Sequence, residues 1–124
     1  MEKRKLIELA KSASENSYSP YSKYKVGAVV LTKEGKVYKG TNIENSSFGA
    51  TCCAERVALF NAISEGERNF DCLVVYSKSS LPFPCGICRQ VLADFNMDMK
   101  IIIATDNEFK EFTLKELLPN SFNF

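Results

Sequence analysis

Two almost wholly apolar runs, FDCLVVYS at 70–77 and KIIIA at 100–104, stand on either side of the helix-forming stretch GICRQVLADF at 86–95. Runs of this kind, with no polar alternation, read as strands buried on both faces. Strand, helix, strand in that order implies a right-handed parallel crossover, which commits the chain to an α/β architecture. The remaining segments fit around it. Leu6, Ile7, Ala10 and Ala13 recur at helical spacing, and Pro20 in SYSPYS halts the helix they predict. The β-rich runs 24–31 and 37–42 flank a turn at Gly35 and predict an antiparallel hairpin. A second helix is expected from Cys53 to a stop at Gly66, and EFKEFT at 108–113 reads as an edge strand. Thr113 and Glu116 then form a capping pair ahead of a short last helix. The expected product is one domain over residues 1–124, with a mixed sheet covered by helices.

Charge and residue inventory narrow the function. Sixteen basic and fifteen acidic residues leave a formal charge of +1, with no Lys/Arg block. A surface that tracks nucleic-acid phosphates is therefore not expected. The N-terminal segment is charged and periodic rather than apolar, and no stretch has the length to span a bilayer, so a cytoplasmic protein with no membrane partner is expected. Five cysteines and no histidine exclude Ser-His and Cys-His nucleophile systems and require any metal to be held without imidazole. In a reducing compartment the odd cysteine count reads as thiols or metal ligands.

Cys85 and Cys88 form a C-x-x-C directly after Pro84, and Cys53 lies at the head of a different predicted helix. A helix N-terminus favours thiolate over thiol, and thiolate is the form that binds zinc. A bare C-x-x-C also marks redox motifs and zinc ribbons. The third cysteine, followed two positions later by Glu55, shifts the balance toward a catalytic site, where three protein ligands leave one coordination position open. Cys52 adjoins Cys53 and Cys72 falls within a strand, so both are expected to be packing residues.

Cys53-Ala54-Glu55 followed by Pro84-Cys85-Gly86-Ile87-Cys88 resembles the zinc-dependent cytidine deaminases, in their short form with three cysteine ligands. The resemblance runs nearly end to end and includes Ser19-Pro20-Tyr21-Ser22, Val26-Gly27-Ala28, Asn42-Ile43-Glu44-Asn45 and Leu117-Leu118-Pro119. It implies a three-layer α/β/α fold with a mixed five-stranded sheet, one Zn²⁺ per chain held by Cys53, Cys85 and Cys88, and hydrolysis of cytidine and deoxycytidine to uridine and deoxyuridine in pyrimidine salvage. It implies Glu55 as the single acid/base, Arg56 as a cation beside the ligand sulfurs, and Asn42 and Glu44 as ribose contacts. The Ala54 backbone N–H would meet the base oxygen and Tyr24 would lie against the pyrimidine. It also implies a homotetramer with shared sites, in which Phe122 near the C-terminus stacks on the base in a neighbouring subunit. The chain departs from the family in carrying Tyr24 and Phe48, where phenylalanine and tyrosine are usual. Two other readings remain: a deaminase of a cytosine nucleoside antibiotic such as blasticidin S, and a non-enzymatic zinc-stabilised module in which Glu55 is dispensable.

Overall fold

The computed structural model describes residues 1–124. Five strands, β1 (Gly27–Thr32), β2 (Val37–Thr41), β3 (Phe70–Tyr76), β4 (Lys100–Ala104) and β5 (Phe109–Thr113), form one sheet in the order β2-β1-β3-β4-β5. β3 and β4 are parallel and every other pair is antiparallel, so the sheet is mixed as expected. Four helices accompany it: α1 (Lys3–Ser14), α2 (Ala54–Ser64), α3 (Gly86–Ala93) and α4 (Leu114–Leu117).

The apolar runs are buried on both faces because helices cover both. Val29, Val74, Ile102 and Ala104 point toward Leu6 and Ala10 of α1. The alternate positions Val30, Leu73, Val75, Ile101 and Ile103 pack with Ala58 and Leu59 of α2 and Leu92 of α3. The result is an α/β/α sandwich. Two glycines set the layer spacing. A Cβ on Gly27 would lie 2.5 Å from the Ser14 nitrogen of α1. One on Gly40 would strike the Ala58 nitrogen and lie 2.7 Å from the Ala54 oxygen of α2. Only glycine lets these backbones meet.

Several boundaries differ from the sequence reading. The first helix ends at Ser14, well before Pro20, where the Ser14 hydroxyl donates to the Lys11 carbonyl at 2.6 Å. Such local bonds compete with helix continuation. The first strand begins at Gly27 rather than 24, and the second stops at Thr41. Here the Asn42 side chain replaces the ladder: its Nδ2 donates to the Tyr24 carbonyl at 2.7 Å and its Oδ1 accepts from the Val26 N–H at 3.0 Å. The third helix closes at Ala93 through a tightened turn from the Phe95 N–H to the Leu92 carbonyl. The expected capping box at Thr113 and Glu116 is present.

Candidate active site

Cys53 and Cys85 are the residues that immediately precede α2 and α3, both in extended conformation. Cys52 is held by a β-bridge to Ile43, which fixes the chain's entry into α2. Arg89 fixes the entry into α3, its Nε donating to the Pro84 carbonyl at 2.8 Å and its Nη1 to the Leu117 carbonyl at 2.7 Å. The two helix N-termini thus meet head to head. The Sγ atoms of Cys53, Cys85 and Cys88 all lie within 4.8 Å of one another, and those of Cys53 and Cys85 are 3.7 Å apart. Tetrahedral zinc with Zn–S bonds near 2.3 Å requires sulfurs about 3.8 Å apart. The donor set therefore fits one zinc ion, with no histidine in the chain to compete.

Charge at the cluster is settled by its neighbours. Hydrogen bonding from the Cys88 thiol, joined by Arg56 and Cys85, lowers the Cys53 thiol pKa against the opposing effect of burial. Cys88, which donates to Cys53 and is buried, is pushed up. The Arg56 Nη2 stands 3.6 Å from the Cys53 sulfur, and its buried Nε has no hydrogen-bond partner. A guanidinium so placed would offset the negative charge of three thiolates gathered on one bound ion.

Glu55, in the first turn of α2, is only 4% exposed. Burial, reinforced by the negative Cys53, pushes its carboxyl up to about 7, while its own backbone N–H and Arg56 pull the other way. A carboxyl so poised exchanges a proton readily near neutral pH. A solvated glutamate serving only the helix dipole is not what the structure contains.

Glu55, Cys53 and Cys85 share a cavity of about 420 Å³ with Tyr24, Asn42, Ala54 and the Leu81–Pro82–Phe83 segment. The sequence reading missed that segment, whose only local sign is an apolar pair set between prolines and serines. Cys72 is buried in β3 as expected. Cys52 is half-buried and lines the cavity instead of packing in the core, since the bridge to Ile43 holds it outside the helix. Asn42 lines the cavity too, with its amide engaged on the Tyr24–Val26 backbone. Glu44 does not line it: its Oε1 accepts from the N–H groups of Tyr21 and Ser22 at 2.9 and 3.1 Å, and its other oxygen from the Ser22 hydroxyl. These bonds, led by the hydroxyl, lower its carboxyl pKa. Phe122 also lies outside the cavity, 66% exposed and edge-on to Phe124.

A three-layer α/β/α sheet protein that brings three thiols and a buried carboxyl to paired helix N-termini is built as a zinc-dependent hydrolase. Residues 1–105 match the family described as the cytidine and deoxycytidylate deaminase zinc-binding region, and the chain belongs to that family. It is 44% identical to a cytidine deaminase of Sporosarcina psychrophila, over 99% of this chain and 93% of that one. The crystal structure of a cytidine deaminase from Burkholderia pseudomallei superimposes with a TM-score of 0.95 at 38% identity, covering 98% of this chain and 100% of the other. A blasticidin-S deaminase of Bacillus cereus is 32% identical, over 91% of this chain and 89% of its own.

Proposed function

We propose that residues 1–124 act as one unit that hydrolyses cytidine and deoxycytidine to uridine and deoxyuridine, releasing ammonia, as a step of pyrimidine salvage. The observation that carries this reading is the buried carboxyl of Glu55 beside the three-cysteine cluster, in the wall of one cavity. When bound to Cys53, Cys85 and Cys88, zinc supplies a Lewis acid that makes water a nucleophile near neutral pH. Glu55 takes the proton from the water that attacks C4 of cytosine and delivers it to ring N3. It then takes the remaining proton from the new C4 hydroxyl and passes it to the departing amino group, so that the C4–N bond breaks, one water is consumed and one ammonia leaves. The Ala54 N–H, free at the start of α2, is directed to the base oxygen, and Asn42 holds the sugar side of the cavity.

The cavity is lined by no lysine or arginine, and its only carboxyl is that of Glu55. A phosphate would find no counter-charge there, which favours a neutral nucleoside over a nucleotide. The test is the change in ultraviolet absorbance when purified protein meets cytidine, deoxycytidine, cytosine, CMP and blasticidin S. Turnover of the first two and not of CMP is expected; failure on both nucleosides overturns the reading. Turnover of blasticidin S alone would favour the second reading, which the similarity to the Bacillus cereus enzyme motivates.

Assembly and location belong to the same reading. Phe48, Phe122 and Phe124 are exposed, which is costly for an isolated chain and supports a homotetramer whose neighbouring copies complete each other's sites. Five free thiols support a reducing, cytoplasmic setting, and no helix is long and apolar enough to cross a membrane.

A further inference from the structure

Tyr24 is held in place from behind. Its N–H donates to the Ser22 hydroxyl at 3.0 Å, its carbonyl accepts from Asn42 at 2.7 Å, and the preceding Lys23 takes a left-handed turn at φ 60°. With its backbone fixed, the ring reaches along the cavity wall, 39% exposed. Its hydroxyl arrives at the segment that leads into the Leu81–Phe83 part of the lining. The Ser80 hydroxyl donates to it at 3.4 Å, and it faces the Ser80 carbonyl at 3.5 Å. Ser80 directly precedes Leu81, Pro82 and Phe83, the apolar residues of that part. These distances are long for O–H···O bonds, so the contact is a weak one as it stands.

We propose that the Tyr24–Ser80 contact is a bridge across the mouth of the cavity, and that Tyr24 and Ser80 together limit the size of cytosine nucleoside admitted. The inference rests on the deaminase reading above. A phenylalanine at position 24 would supply the same ring and no bridge. The ring body is apolar and faces the ligand, while the phenol tip is polar and sits at the wet rim, so the two functions are separable within one side chain. The bridge ties residues 24–26, anchored through Asn42 to the end of β2, to the 77–85 connection that carries Cys85 into α3. Closing it narrows the entrance without touching the reacting atoms. Ser80 is therefore a positioning residue.

The experiment is a double-mutant cycle on the zinc-loaded protein with Tyr24→Phe, Ser80→Ala and the double variant. KM and kcat are measured for cytidine and for the bulkier blasticidin S. For cytidine, each single variant should raise KM by about 2- to 10-fold, the range of one hydrogen bond, with a smaller effect on kcat. The double variant should be no worse than the poorer single one. The ratio of kcat/KM for blasticidin S to that for cytidine should rise in all three. Fully additive KM changes, or a ratio that stays at its wild-type value, would overturn the bridge. Absence of cytidine turnover in the wild-type protein would instead remove the deaminase reading on which it rests, so the two failures are told apart.

Discussion

Glu55 costs the fold something, because burying a carboxyl in a helix turn beside a negative sulfur opposes its ionisation. A residue kept under that penalty is expected to act through its proton. Glu55→Gln preserves size and polarity and removes only the exchangeable acid, so it should keep the fold and one zinc per chain while kcat falls by ~10²–10⁴. Metal analysis together with turnover checks both halves; an active variant would require another base, and the cavity lining contains no second carboxyl. Asp106 shows the opposite electrostatics away from the site. The Tyr76 hydroxyl, donating at 2.6 Å, and then Lys11, whose Nζ lies 3.0 Å away, hold its carboxyl below its ordinary value of 3.8. A depressed acid contributes stability that is present above the unfolded pKa and lost as pH falls through the folded one. Thermal melts should therefore find Asp106→Asn less stable than the wild type at pH 7, with the gap shrinking below about pH 3.8.

At the level of elements, the site depends on how closely α2 sits against β2, since α2 begins with Ala54 and Glu55. Gly40 is where that approach is made, and Gly40→Ala would push a methyl group into the Ala54–Ala58 backbone. A destabilisation of about 1–3 kcal/mol is expected from such overpacking, read as a lower Tm. A further loss of kcat/KM in the still-folded fraction is expected because Glu55 moves with the helix. An unchanged Tm would show that the layers adjust freely. The elements themselves were legible in the sequence, because burial leaves a periodic mark: 70–76 and 100–104 lack polar alternation since both faces are covered, and Gly66, at φ 97°, ends α2 where expected. The clustering of Cys53, Cys85 and Cys88 was legible too, because three cysteines at two helix starts form a chemical pattern. Strand ends were not, since Asn42 takes over the ladder with a side chain that no periodicity records. The Leu81–Phe83 wall was hidden for a related reason: a loop that lines a cavity answers to a ligand and carries no repeat.

For the whole molecule, the exposed aromatic tail is the feature that an isolated chain leaves unexplained. The Phe122 carbonyl accepts from the Gln90 Nε2 at 3.0 Å, so the backbone is tethered to α3 while the ring stays in solvent. If that ring completes a neighbour's cavity, Phe122→Ala should raise KM by about 2- to 10-fold, the worth of one aromatic stack, and leave zinc content nearly unchanged. Subunit exchange between inactive Glu55→Gln chains and weakened chains truncated before Phe122 should then bring the KM of the truncated chains back toward the wild-type value. Sedimentation of a fully active monomer would reject the shared site. The meeting of the α2 and α3 N-termini has one more consequence. Cys53 and Cys85 stand 32 residues apart in the chain, and the segment between them contains all of α2 and β3. An ion shared by the two sulfurs is thus a reversible cross-link around the central strand, and its strength is set from outside the molecule. By mass action, each tenfold rise in free metal above the dissociation constant adds about 1.4 kcal/mol to the folded state. The cell's metal supply and the chain's resistance to unfolding are in that sense one variable.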